Sequence, residues 1–212
     1  MIKKNKVKLA LASLVTLLPL LLGVLFWNKL PETLAMHWGV DGAPDGWGSR
    51  TLAVVGMPLI LLALLWLCVI VTAKDPKNKG QNQKAFGLVI WIVPVLSLFA
   101  GGMIYSVAFG YKPPMERAVA LLMGVLFLAI GNYLPKCKQN HTIGIKIKWT
   151  LQSEENWNAT HRIGGKVWVI GGVVLLACCF LPKAFLSWAL LIVMVPLVVF
   201  PFIYSYRFYK TH

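Results

Sequence analysis

Residues 131–172 read GNYLPKCKQNHTIGIKIKWTLQSEENWNATHRIGGKVWVIGG. The stretch joins two strongly apolar runs, yet it is dense in Gly, Asn, Trp, Lys and His. Between His141 and His161 lie Trp149, Trp157, Glu154 and Glu155 with Lys146 and Lys148. Ordinary connectors carry small polar residues, so a loop this specialised is expected to bind something or to fold onto the membrane surface. Gly131, Asn132 and Tyr133 end the preceding run, and Pro135 prevents its continuation because proline lacks the amide hydrogen a helix needs. Ile143, Ile145 and Ile147 alternate with Gly144, Lys146 and Lys148, the period of extended chain. Thr150 or Ser153 is placed to cap a short helix whose first turn carries Glu154 and Glu155, the favourable sign at that end. Trp157, His161 and Gly165 recur every four residues, which predicts an amphipathic surface helix leading into the next span. A surface helix accounts for Trp157 and Arg162, less readily for Asn132, Asn140 and the Trp149–Thr150 pair.

Outward from this loop the chain is apolar. Its 212 residues are 58% hydrophobic and 13% charged, with mean hydropathy +0.70. A soluble domain is about a quarter charged. An integral membrane protein follows, and the fold class expected is all-α, a polytopic bundle. A spanning helix needs about 20 apolar residues, and six runs qualify: 9–27, 52–73, 86–108, 118–134, 166–181 and 185–206. The last two are joined only around Pro182 and Lys183, which makes a tight helical hairpin. Residues 1–110 form an N-terminal region of three spans and 111–212 a C-terminal region of three. The first 27 residues imitate a secretory signal, but they lack a small-x-small cleavage site, so a retained first helix is expected.

The net charge of +14 does not point to direct nucleic-acid binding, because the basic residues flank apolar runs and meet anionic headgroups there. With the N-terminus inside, sixteen of the 21 Lys and Arg residues fall on the cytoplasmic side. Lys29, Arg50, Lys112, Arg117 and Lys183 fall outside. Both termini are therefore expected in the cytoplasm of a bacterial cell, and the long loop with them. Asn140-His-Thr142 and Asn158-Ala-Thr160 match glycosylation sequons, which an inner loop does not use. Cys68, Cys137, Cys178 and Cys179 include no CxxC pair, so they read as small core residues. The apolar runs contain almost no ionisable side chains, which argues against an ion-coupled carrier. Pro19, Pro58, Pro94 and Pro196 read as packing kinks. Gly164, Gly165, Gly171 and Gly172 leave a smooth stripe suited to close helix packing.

The first outer loop holds HWGVDGAPDGWGSR, residues 37–50. Asp41-Gly42 and Asp45-Gly46 are turn dipeptides, and Pro31 and Pro44 stop any helix. Trp38 and Trp47 suit the headgroup level. His37, Asp41 and Asp45 are cation-ligand types, but neither an EF-hand nor an HExxH pattern is present, and the carboxylates are expected to accept turn N–H groups. No metal and no cofactor are expected.

At this point the sequence resembles a known family. GNYLPK, NHTIGIKIKWTL and NWNATHRIGGKVWVIGG look like the signature of bacterial Sdp-type immunity proteins. The 37–50 loop resembles a small domain of unknown function that often precedes that signature. The resemblance implies a multipass cell-membrane protein that protects a producer from its own secreted killing peptide and holds a cytoplasmic transcriptional repressor at the membrane. It implies peptide contacts at His37, Trp38, Asp41, Pro44, Asp45 and Trp47. It implies partner contacts or motif roles at Asn132, Pro135, Asn140, Gly144, Lys146, Lys148, Trp149, Thr150, Glu154, Trp157, His161, Arg162 and Gly165. Lys148 departs from the pattern, which has Pro or a small residue before Trp149. The other reading is an enzyme or carrier acting on a lipid or envelope molecule, with His37, Asp41 and Asp45, or Glu154, Glu155 and His161, as acid–base groups. No recognised nucleophile or metal motif supports it, so a non-enzymatic protein is expected.

Overall fold

A computed structural model of the protein describes residues 1–39, 41–80 and 83–211. A short 3-10 turn, Ile2–Asn5, leads into helix α1 (Lys6–Leu25). An antiparallel hairpin follows, β1 (Thr33–Trp38) with β2 (Pro44–Ser49). Then come α2 (Met57–Lys74), α3 (Gln83–Ala108), α4 (Met115–Tyr133), the short α5 (Lys148–Gln152), α6 (Glu154–Cys178) and α7 (Lys183–Thr211). Among the described residues six helices are long and apolar enough to cross a membrane. The all-α polytopic class stands, with the hairpin as its one addition.

The fifth span differs from the expectation. The Glu154–Gly165 stretch expected as a surface helix is the start of the span itself: after the five-residue α5, α6 runs unbroken from Glu154, twelve residues before the expected start at Lys166. Ser153 caps it, its hydroxyl accepting from the Asn156 N–H at 3.1 Å. Trp157 and His161 recur at helical spacing because they face protein, not lipid; both are essentially unexposed.

The packing forms two compact units. The first comprises Met1–Ile70 and Val89–Glu116. Its core joins Leu30 and Leu34 to Ala53, Val54 and Ile104. Buried hydroxyls fasten α3 to α1, where apolar contact alone gains little against lipid: Ser97 donates to Thr16 O at 2.8 Å and Tyr105 to Pro19 O at 2.6 Å.

The hairpin arises because Pro44, Gly46 and Gly48 disfavour helix and because alternate β2 residues are exposed. Asp41-Gly42 makes the turn, with Gly42 at φ +73°, where an L side chain is strained. The register slips around Met36 and between His37 and Trp38. Arg50 anchors the base, donating to Trp27 O and Leu30 O at 2.8 and 2.9 Å with its guanidinium over the Trp27 ring.

The second unit comprises Val71–Leu88 and Arg117–His212. The glycine stripe of α6 is two stripes serving two neighbours. Gly165 and Gly172 meet α4: a Cβ there would lie 2.7 Å from the carbonyl oxygens of Gly131 and Gly124. Gly164 lies beside Pro201, and Gly171 beside Leu197 and Val193, all on α7. Asn156 ties α6 to α7 as well, donating to Ser205 O at 2.9 Å and accepting from the Ser205 hydroxyl at 2.6 Å.

Candidate functional site

The long loop folds as a polar assembly pinned by buried side chains. Asn140 is its first pin and is fully buried. Its Oδ1 accepts from the N–H groups of Thr142 (2.8 Å) and Ile143 (2.6 Å), and its Nδ2 donates to Lys138 O (2.8 Å) and Ile143 O (2.9 Å). One amide therefore satisfies four backbone groups of an irregular segment that has no ladder of its own.

Trp157 and His161 form the second pin. The indole N–H donates to Cys137 O at 2.7 Å. The imidazole stacks on the indole with ring centroids 3.9 Å apart. Its Nε2 accepts from the Ile145 N–H at 2.9 Å, which leaves Nδ1 as the protonated nitrogen facing Trp157 O at 2.8 Å. Gly144 passes directly over this pair at φ +118°, where a Cβ would strike His161 Nε2 and the Trp157 ring. Thr150 is the third pin: its hydroxyl accepts from the Ile147 N–H at 3.1 Å and faces Ile145 O at 2.8 Å.

The structure thus brings together Asn140, Gly144, Thr150, Trp157 and His161, with Pro135 seated against Gly165. The remaining expected residues lie around this body. Trp149 packs on α7, its ring centroid 5.1 Å from Phe202 and 5.0 Å from Tyr206. Asn132 is exposed and accepts from Lys136 at 3.4 Å. Lys146, Lys148, Glu154 and Arg162 are exposed. Cys137 is buried against Ala85 and Trp157, and burial pushes its thiol up to about 11.

Two important residues went unread in the sequence. Asp75, at the end of α2, receives the His141 N–H at 2.8 Å and the Thr142 hydroxyl at 3.3 Å. Asn78 donates to Thr72 O at 2.8 Å and to Thr142 Oγ1 at 2.7 Å. The turn after α2 is therefore a wall of the assembly, not a plain tether. The Asp75 partner His141 lies 66 residues further along the chain and leaves no local trace in the sequence around Asp75.

In the hairpin, His37 Nδ1 meets Asp45 Oδ1 at 2.6 Å, and both side chains are more than half exposed. Asp41 accepts from the Ala43 N–H at 3.1 Å. Pro44 pairs with Trp38 in the register, and the Trp47 ring is exposed. His37, Asp41 and Asp45 do not converge as a metal-ligand set; among the described residues no group of three such side chains does.

Six membrane-crossing helices, a short β-hairpin after the first and a buried Asn–Trp–His-pinned loop before the fifth define a multi-pass helical membrane protein of the cell membrane. Residues 136–205 match the SdpI/YfhL protein family, and residues 14–62 match a domain of unknown function, DUF1648. The chain is 23% identical over 209 residues to the immunity protein SdpI of Bacillus subtilis (strain 168), covering 98% of this chain and 97% of that protein. No solved structure matches it.

Proposed function

We propose that the protein is an integral membrane immunity protein that shields a bacterial cell from a secreted killing peptide. One observation carries the reading: the likeness to a protein named for immunity extends over nearly the whole chain, both loops included. With both termini in the cytoplasm, as the Lys and Arg excess supports, the hairpin faces outside. The exposed His37–Asp45 pair, with Trp38, Asp41, Pro44 and Trp47, then offers polar and aromatic contacts to an arriving peptide. The N-terminal region, 1–110, is the receiving part. The C-terminal region, 111–212, carries exposed Lys146, Lys148, Glu154 and Arg162 on the cytoplasmic side, where a repressor of complementary charge docks. No reaction is assigned, since both ring nitrogens of His161 are committed to backbone groups.

The test is survival of a sensitive strain challenged with the killing peptide. Cells expressing the wild-type chain survive; cells expressing His37→Ala with Trp47→Ala die although the protein inserts normally. Lys146→Gln with Lys148→Gln spares survival and abolishes repressor capture. Loss of protection in every long-loop variant at full expression would overturn this division of labour.

A further inference from the structure

A cleft of about 480 Å³ opens between the start of α6 and the end of α7. Glu155, Asn158, Arg162 and Lys166 line it from α6, and Tyr204 and Phe208 from α7. Arg162 and Lys166 are four residues apart and so stack on one helix face. Both are exposed, and neither forms an ion pair with the described residues. Tyr204 and Phe208 are likewise four apart and adjoin each other, centroids 6.3 Å apart.

Helix length sets the depth of this cleft. At about 1.5 Å per residue, the 25 residues of α6 and the 29 of α7 both exceed the roughly 30 Å hydrocarbon core. Twenty residues counted back from Cys178 end near Ala159, and twenty counted forward from Lys183 end near Phe202. The cleft therefore straddles the boundary between headgroups and hydrocarbon: Glu155, Asn158, Tyr204 and Phe208 lie on the headgroup side, while the Arg162 and Lys166 backbone lies about 5 and 10 Å inside, from where long basic side chains snorkel outward.

We propose that this cleft is a binding site for one monoanionic glycerophospholipid headgroup. Arg162 and Lys166 hold the phosphodiester, the Arg guanidinium offering paired N–H donors and the Lys a point charge. Asn158, Glu155 and the Tyr204 hydroxyl take the hydroxyls of the headgroup beyond it. Phe208 and the Tyr204 ring flank the glycerol. Charge balance selects the lipid: two cations and one carboxylate leave one positive charge, which a phosphatidylglycerol-type anion neutralises and a zwitterionic headgroup does not.

Native mass spectrometry of the full-length protein counts bound synthetic phosphatidylglycerol, phosphatidylethanolamine, phosphatidylcholine and free glycerol 3-phosphate. Phosphatidylglycerol binds in preference, at one retained copy. Arg162→Gln with Lys166→Gln weakens it about tenfold, the scale of losing charge-assisted hydrogen bonds. The charge-matched control Lys4→Gln with Lys112→Gln changes it less than twofold. Asn158→Trp fills the cleft while keeping both cations, and it lowers binding by a similar factor; this variant decides alone if the charge variant fails to insert. Equal loss in the control pair, equal retention of the zwitterionic lipids, or saturation by glycerol 3-phosphate alone would overturn the proposal.

Discussion

A single amide, that of Asn140, organises the backbone on both sides of itself. Truncation to Ala leaves the buried N–H groups of Thr142 and Ile143 without their acceptor, and each orphaned group costs about 1–3 kcal/mol. Asn140→Ala should therefore lose about 2–6 kcal/mol of stability, read as a lowered melting temperature in detergent. Asn132→Ala, at an exposed site of the same residue type, should stay within about 0.5 kcal/mol. Equal shifts would mean that the loop is not held from Asn140. The sequence alone made these two asparagines look alike, since neither exposure nor backbone demand is written in residue type. Cys137 supplies a second residue-scale check. With burial pushing its thiol up to about 11, against about 8.5 for a free cysteine, little thiolate exists at pH 8. Alkylation of Cys137 in the folded protein at pH 8 should be far slower than that of a cysteine placed at Gln152, and the two rates should converge in denaturant. Rapid native-state labelling would contradict the burial of the Trp157 pin.

At the scale of elements, the four α6 glycines are read most directly through the carbonyls they approach. Gly165→Ala drives a methyl toward Gly131 O on α4 and Pro135 just beyond its end, and overpacking of that kind costs about 1–3 kcal/mol. Gly87→Ala on α3 meets no atom within 4 Å, and it should be neutral or stabilising by up to about 1 kcal/mol. Denaturation of the two variants side by side in one detergent decides the matter; a reversal of their order would dissociate the α4–α6 contact from stability. Close packing was legible in the seven-residue glycine spacing. What the spacing did not reveal was that adjacent glycines, Gly164 and Gly165, serve α7 and α4 separately. The start of α6 was misjudged for a related reason. A Trp–x–x–x–His period looks the same whether that face meets lipid headgroups or the polar loop that covers it here.

At the scale of the molecule, the six spans were legible because about 20 consecutive apolar residues can do little else. The hairpin was not, since its strands are short and its register is interrupted. The direction of insertion is the remaining large-scale prediction. An impermeant thiol reagent applied to intact cells should label a cysteine placed at Gly42 and miss one placed at Gln152. The opposite pattern would invert both loop assignments and with them the proposed roles of hairpin and long loop.

Asp75 also sets an order of events during synthesis. Its carboxylate leaves the ribosome 66 residues before the His141 N–H that it receives. At roughly 5–20 residues per second that interval lasts roughly 3–13 s. Throughout it, the turn after α2 stands half-built while α3 and α4 are still being delivered to the bilayer. A nascent chain arrested before residue 141 would therefore hold its second and third spans joined by an unfinished turn. The same turn makes the family-matched segment dependent on its predecessor. Produced alone, residues 117–212 would carry every motif residue of the long loop and lack the carboxylate that closes it, so a gene split between α3 and α4 should regain the folded loop only when both fragments are made together.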